Sequence, residues 1–421
     1  MRRAVITGIG VIAPGGVGAK NFWDLITSGR SATRMVTMFD ASRYRSRIGG
    51  EVDFDPLAAG LTAEQSSGLD RMIQFALAGL GEAWQDAGLD GTAPPAGRTA
   101  VSVGTAVGCT MGLESQYAAV SEHGQRWLVD HTRAADHLFD FFVPSSLARE
   151  VAWAAGAEGP AAVVSTGCTS GLDAVGYAFD LIKDGLADMV VTGASDAPLS
   201  PITYACFDAL RATSPDNHDP AGACRPFDLT RNGFALGEGS AIFILEELEH
   251  ARRRQASIYA ELTGFATRSN AYHMTGLRAD GQEMAEAITA SLDQSQLNPE
   301  DIDYINAHGS GTRQNDLHET NAFKRALGHA AYGIPISSIK SMIGHALGSV
   351  GSIEIAACAL AIHHGTIPPT ANLHEADPEC DLDYVPLIAR TGRYDSVLTV
   401  GSGFGGFQSA AVLRRYTGGA S

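Results

Sequence analysis

Aromatic side chains are scarce, at 7% of 421 residues, and charged residues make up only 18%. A chain poor in charge yet 45% hydrophobic holds enough apolar surface to offset the entropy of ordering, which excludes a disordered or fibrous protein. Basic residues are also short: 30 Lys and Arg face 47 Asp and Glu, a formal net charge of −17. Phosphate backbones and anionic membrane surfaces repel such a molecule, so neither nucleic acid nor membrane is an expected partner. Cysteine is limited to Cys109, Cys168, Cys206, Cys224, Cys358 and Cys380, with no CxxC pair and no dense spacing. That excludes the disulfide framework of a small secreted domain and fits reduced thiols in a cytoplasmic protein. Long hydrophobic runs are missing as well. The strongly apolar helical stretch Ile353 to Ile362 falls short of the roughly 18 residues a membrane span needs. The apolar run in the opening Met1 to Gly8 is too short for a signal peptide.

Glycine, by contrast, is abundant, with 48 residues set between short apolar runs and helical patterns. Such alternation predicts an α/β fold, with parallel sheets covered by helices on both faces. Two stretches repeat one order of parts. Ala161 to Thr166 reads as a buried strand, Gly167-Cys168 as a turn, and Leu172, Val175, Gly176, Phe179 and Ile182 as the apolar face of a helix ending near Asp184-Gly185. Ile336 to Ile339, Gly344-His345, and Ile353, Ala356, Ala357 and Leu360 form the same series, ending near His364-Gly365. Cys168 and His345 thus occupy matching stations. A duplicated unit would set both at helix N-termini facing one cleft, where open α/β sheets place their chemistry. The expected halves are 1–257 and 258–421, divided after the charged run Glu246 to Arg254.

Two glycine motifs invite a nucleotide-binding reading. Gly8-Ile9-Gly10-Val11-Ile12-Ala13 fits GxGxxA, but Pro14-Gly15-Gly16 interrupts the place where a phosphate-binding helix would run. Gly401-Ser402-Gly403-Phe404-Gly405-Gly406 fits GxGxxG, but too little chain follows for the rest of a nucleotide unit. A tight loop whose amides bind an anion or oxyanion is the better account. No GxSxG elbow is present; Gly344-His345-Ala346-Leu347-Gly348 lacks the serine.

The chemistry gathers at three residues. Cys168, between a strand and the first turn of a helix, sits where the helix dipole and free amides favour thiolate over thiol. The other five cysteines read as structural. His308 follows the strand Asp303 to Ala307 and opens a glycine-rich loop, and His345 stands at a similar junction; the remaining histidines read as solvated or satisfied in packing. One thiol with two imidazoles suits a thiolate that accepts an acyl group and two donors that hold a second thioester while its carbonyl becomes an enolate. A Cys-His hydrolase would need one base and a water path, and the three residues lack metal-ligand spacing. Lys340 and Glu319 are expected to form a buried pair supporting the imidazoles, with Asp316 a lesser candidate for the same support.

Six motifs stand out, Val164-Ser165-Thr166-Gly167-Cys168-Thr169-Ser170-Gly171-Leu172-Asp173, Arg225-Pro226-Phe227-Asp228, Gly233-Phe234-Ala235-Leu236-Gly237-Glu238-Gly239, Asn306-Ala307-His308-Gly309-Ser310-Gly311-Thr312, Lys340-Ser341-Met342-Ile343-Gly344-His345, and Gly401 to Gln408, with Cys168, His308, Lys340 and His345 among them. With them the whole chain resembles an elongating β-ketoacyl synthase of the thiolase superfamily, and more narrowly the ketosynthase alpha subunit of type II aromatic polyketide synthases. The resemblance implies a five-layered αβαβα sandwich and decarboxylative Claisen condensation. Cys168 would be the acyl acceptor, His308 and His345 the decarboxylating pair, and Lys340 and Glu319 their support. Phe404 would be a gate, its amide and that of Cys168 the oxyanion hole, and Ser310 and Thr312 would meet substrate. No cofactor is implied, since substrates arrive on the phosphopantetheine arm of an acyl carrier protein. A chain-length factor is the implied partner subunit; because the chain is itself strongly acidic, an acidic carrier needs a local basic patch, for which Arg211, with Arg225 or Arg231 nearby in sequence, is the candidate. Ser310, where fatty-acid enzymes of the family usually have threonine, leans toward the polyketide branch. Ala346, where some alpha subunits carry a serine, excludes malonyl transfer through that position. A fatty-acid elongating synthase and a polyene ketosynthase are the alternatives, and Cys168 counts against a non-enzymatic chain-length factor.

Overall fold

The structure, a computed structural model, describes residues 2–91 and 94–418, so residues 1, 92–93 and 419–421 of the expected halves lie outside the described residues. The first half carries β1 (Ala4–Ala13), β2 (Thr99–Gly104), β3 (Ala161–Val164), β4 (Met189–Asp196) and β5 (Gly239–Glu247). The second carries β6 (Ala260–Ser269), β7 (Tyr304–Asn306), β8 (Ile336–Ser337), β9 (Ser396–Gly403) and β10 (Phe407–Arg414). Spatial order in the first is β3-β2-β4-β5-β1 and in the second β8-β7-β9-β10-β6, the same arrangement shifted by five. Each half has three parallel strands followed by two antiparallel ones, so the expected parallel sheets are mixed. A short antiparallel pairing of β1 with β6, Ala4 opposite Leu262, joins the two sheets at one corner.

Six helices complete the duplication: α1 (Arg71–Asp86), α2 (Ser146–Ala155), α3 (Ser170–Lys183), α4 (Gln282–Ser295), α5 (Arg313–Leu327) and α6 (Val350–His364). α1 and α2 cover the outer face of the first sheet and α4 packs on the second, with α5 against α4, while α3 and α6 lie between the sheets. The result is a five-layered αβαβα sandwich. The middle layer explains the composition of its helices. Leu172, Val175, Phe179 and Ile182 of α3 share one core with Ile353, Ala356, Ala357 and Leu360 of α6. Residues 350–362 of α6 are buried all round, as a helix between two sheets must be. The apolar stretch is longer than 353–362: Leu347–His364 has a mean hydropathy of 1.3 and the length to cross a membrane, yet lies in the protein's centre.

Close backbone approach accounts for the glycines of the first nucleotide-like motif. β1 runs unbroken through Gly8 and Gly10, and a Cβ on Gly10 would lie 1.9 Å from the carbonyl oxygen of Gly79 in α1. These glycines let a helix press onto a strand. In the middle layer a Cβ on Gly171 would lie 2.7 Å from the amide nitrogen of Ser352, so α3 and α6 meet at their first turns. One expectation fails. Ala161–Val164 is half-buried to exposed rather than buried, because β3 is an edge strand that, among the described residues, pairs only with β2.

Candidate active site

The meeting of the two first turns brings the matching stations together. Cys168 sits in the single 3₁₀ turn Gly167–Thr169 that opens α3, with Gly167 at φ +64°. Asp173 holds this turn: it accepts from Thr169 Oγ1 at 2.8 Å, from Thr166 Oγ1, and from Ser409 on β10. His345 follows Gly344, at φ +74°, and its main chain is pinned by His345 N–H to Ala235 O (2.8 Å) and Gly237 N–H to His345 O (2.9 Å). His308 lies just past the end of β7. The rings of His308 and His345 meet edge to face with centroids 5.2 Å apart. Cys168, His308, His345, Ser310, Thr312 and Phe404 all line one pocket.

Each imidazole has a partner that fixes its proton. Lys340 Nζ lies 3.4 Å from His308 Nδ1, and an ammonium only donates, so Nδ1 accepts and Nε2 carries the hydrogen. The Leu347 N–H donates to His345 Nδ1 at 3.1 Å, with the same consequence. Burial, and after it the charge of Lys340, holds both rings well below the usual imidazole pKa. The pair therefore consists of two neutral rings with an Nε2–H each.

The Lys340–Glu319 pair expected from the sequence does not form. Lys340, fully buried, pairs with Glu354 on α6 and donates to the carbonyl of His308. Glu319 instead receives the His308 N–H at 2.5 Å, the Gly309 N–H at 2.8 Å and Asn315 Nδ2 at 3.3 Å, and burial pushes its carboxyl up to about 8. Both bracket His308, one on each side. Glu354 was missed, although as the lone charged residue in the apolar run 350–362 it carried a legible signal, since an unpaired Glu is hardly ever fully buried. Asp316 takes the Phe227 N–H at 2.9 Å and the Gly311 N–H at 3.2 Å, and faces Arg231 at 3.1 Å.

Cys168 departs from expectation. Burial pushes its thiol up to about 11, while Lys340 and the Phe404 N–H pull it down without overcoming desolvation. At rest the sulfur is a thiol, half-buried and open to the pocket. Its alkylation by iodoacetamide is expected to rise roughly tenfold per pH unit between about pH 8 and 10, because only the thiolate reacts. A plateau near pH 8 in the rate, followed by mass spectrometry, would contradict this.

Phe404 caps the pocket at the β9–β10 hairpin, 37% exposed, and stacks on Phe207 with centroids 6.4 Å apart. Phe207 and Phe234, the latter 5.0 Å from the His345 ring, belong to the site; Phe234 lies in the glycine-flanked motif Gly233 to Gly239, whereas Phe207 carried no sequence signal beyond being aromatic. Of the three arginines, Arg231 is buried and pairs with Asp316 and with Asp377 at 2.6 Å, so it cannot dock a carrier. Arg225 is held by Asp216 at 2.9 Å. Arg211 is exposed, at the C-terminal end of the helix Pro201–Leu210 that carries Phe207. Arg231→Met, which strands two carboxylates, is expected to cost about 3–5 kcal/mol in urea unfolding.

The β-ketoacyl synthase N-terminal domain family matches residues 1–251, and the C-terminal domain family matches residues 259–374. The chain belongs to the β-ketoacyl synthase family. This synthase is 68% identical to the tetracenomycin polyketide synthase ketoacyl synthase alpha subunit of Streptomyces glaucescens, over 98% of this chain and 97% of that protein. It also superposes with a TM-score of 0.92, at 40% identity and 99% coverage of both chains, on a type II polyketide ketosynthase solved with its acyl carrier protein and a hexaketide. The ishigamide ketosynthase/chain length factor gives a TM-score of 0.89 at 32% identity, again over 99% of both chains. The synthase thus stands among type II polyketide ketosynthases.

Proposed function

We propose that the synthase extends a polyketide chain by decarboxylative Claisen condensation, with the growing acyl group on Cys168 and the malonyl unit on the phosphopantetheine arm of an acyl carrier protein. The observation that carries this is the pair of neutral imidazoles offering two Nε2–H donors in the pocket of a nucleophilic thiol. In the first step the sulfur attacks the carrier thioester; a carbon–sulfur bond forms at Cys168, the carrier's breaks, and the cysteine proton passes to the departing carrier thiol. The amides of Cys168 and Phe404 face the oxyanion of that step. A malonyl thioester then enters with its carbonyl oxygen between His308 and His345. Breaking the carboxyl carbon bond releases carbon dioxide and leaves an enolate whose charge the two donors hold. The enolate carbon attacks the Cys168 thioester, a carbon–carbon bond forms as the carbon–sulfur bond breaks, and the cysteine leaves as thiolate and takes a proton from solvent. Ser310 and Thr312 meet the incoming arm, Lys340, Glu319 and Asp316 hold the His308 loop, and Phe404 moves aside to admit it.

Two surfaces support the partners. Among the described residues β3 pairs only with β2, and Trp127 (91% exposed), Phe139 (67%), Phe142 (70%) and Trp153 (70%) lie exposed in the same half. An open strand edge and exposed aromatics suit a subunit interface, and a chain-length factor is the partner proposed for this half. Arg211, beside the helix that lines the pocket mouth, is the proposed contact for the acidic carrier. Co-purification with a chain-length factor and assay with malonyl carrier protein test the reading. Carbon dioxide release coupled to chain growth is the expected result; a pure, assembled complex that never lengthens an acyl chain would overturn it.

A further inference from the structure

Asp196 ends β4 with its side chain wholly buried. Its carboxylate accepts Thr105 Oγ1 at 2.6 Å, the Ala106 N–H at 2.9 Å and the Val107 N–H at 3.3 Å, and it lies against the backbone of Gly348. None of these groups touches the pocket. What they surround is the turn just after His345. Leu347 there adopts φ +48°, a left-handed conformation that costs a non-glycine residue about 1–2 kcal/mol and persists only where its surroundings over-determine it. Two anchors do so: the Leu347 side chain packs with Leu199, Tyr204 and Phe234, and the next residue, Gly348, is pressed against Asp196. A Cβ on Gly348 would lie 2.6 Å from Asp196 Oδ2, so the carboxylate rests directly against this backbone.

We propose that Asp196 is a positioning residue for His345: by clamping the turn Leu347–Gly348 it keeps the Leu347 N–H on His345 Nδ1 and so aims the proton-bearing Nε2 into the pocket. The inference rests on the reading of His345 as a donor to thioester oxygen. The main chain of His345 is already pinned on both sides by Ala235 and Gly237, which leaves ring rotation and tautomer as the freedoms the Leu347 contact removes. The duplication points the same way. Asp196 stands at the end of β4, and at the end of β9 a Cβ on Gly403 would lie 3.3 Å from Cys168 N, with Phe404 next in the chain. Each half thus ends its fourth strand against the turn that carries the other half's reactive side chain, with Gly403 in one case and the Asp196 carboxylate in the other.

Asp196→Asn tests this, because an amide must turn its NH₂ against at least one of the N–H groups the carboxylate accepts. In protein labelled with ¹⁵N-histidine, the wild type is expected to show His345 with an unprotonated Nδ1 and a protonated Nε2. The variant should show the Nδ1–H form or a mixture, with kcat for malonyl carrier decarboxylation down about 10- to 100-fold, KM little changed, and the rate of Cys168 acylation retained. Asp196→Ser, which keeps an acceptor but is too short to reach Gly348, makes the same comparison if the amide does not fold. A wild-type tautomer and kcat in whichever variant folds would overturn the proposal, as would Nδ1–H in the wild type. Should the wild type lack decarboxylation altogether, the function falls, while the ring spectra still report on Asp196.

Discussion

Cys168→Ala is expected to remove condensation, lowering product formation by about 10⁴-fold or more while the protein stays folded. The turn that carries the residue is held by Thr166, Thr169, Asp173 and Ser409, none of which depends on the sulfur. The half-buried side chain loses one atom facing the pocket, so the stability cost is about 1 kcal/mol, seen as a small drop in Tm by circular dichroism. Intact-mass spectrometry should find no acyl-enzyme. Release of carbon dioxide from malonyl carrier protein should continue, because Lys340 and the Leu347 amide orient the two imidazoles without help from the thiol. A folded variant that still lengthens chains at the wild-type rate would show that another group accepts the acyl unit.

The duplicated unit was legible because both copies write the same punctuation. Apolar strand, glycine turn and helix recur around Cys168 and His345, and the turns do lie side by side where α3 and α6 meet at Gly171. What the sequence hid was depth. Ala161–Val164 has the composition of a buried strand, but burial depends on what pairs with its outer edge, which four residues cannot encode. Arg211, Arg225 and Arg231 look alike in sequence, yet one is free, one is tied to Asp216 and one is sealed between Asp316 and Asp377. The thiol followed the same rule. A helix start marks Cys168 for activation, but how far burial outweighs the dipole depends on the walls that Lys340, Phe404 and the second half supply. Lys340 found Glu354 rather than Glu319 because a carboxylate one turn into α6 is nearer in space than one on the loop side of His308, a fact of helix packing invisible to spacing.

His308→Ala and His345→Ala are each expected to slow malonyl decarboxylation by about 10²–10³-fold while Cys168 still takes up an acyl group. The asymmetry follows from geometry. Acylation needs the sulfur and the amides of Cys168 and Phe404, whereas the enolate needs both Nε2–H donors, and one donor left alone must hold the whole charge. Because burial keeps both rings far below the usual imidazole pKa, they remain neutral donors as the pH falls, and decarboxylation by the wild type should be flat from about pH 8 down to about pH 6. An acid limb near pH 6.5 would mean that a ring titrates with ordinary solvation. Acylation followed by intact mass, and carbon dioxide release followed in parallel, separate the two steps in each variant. Loss of acylation alone in both histidine variants would assign the rings to the thiol instead of the enolate and reverse the division of labour.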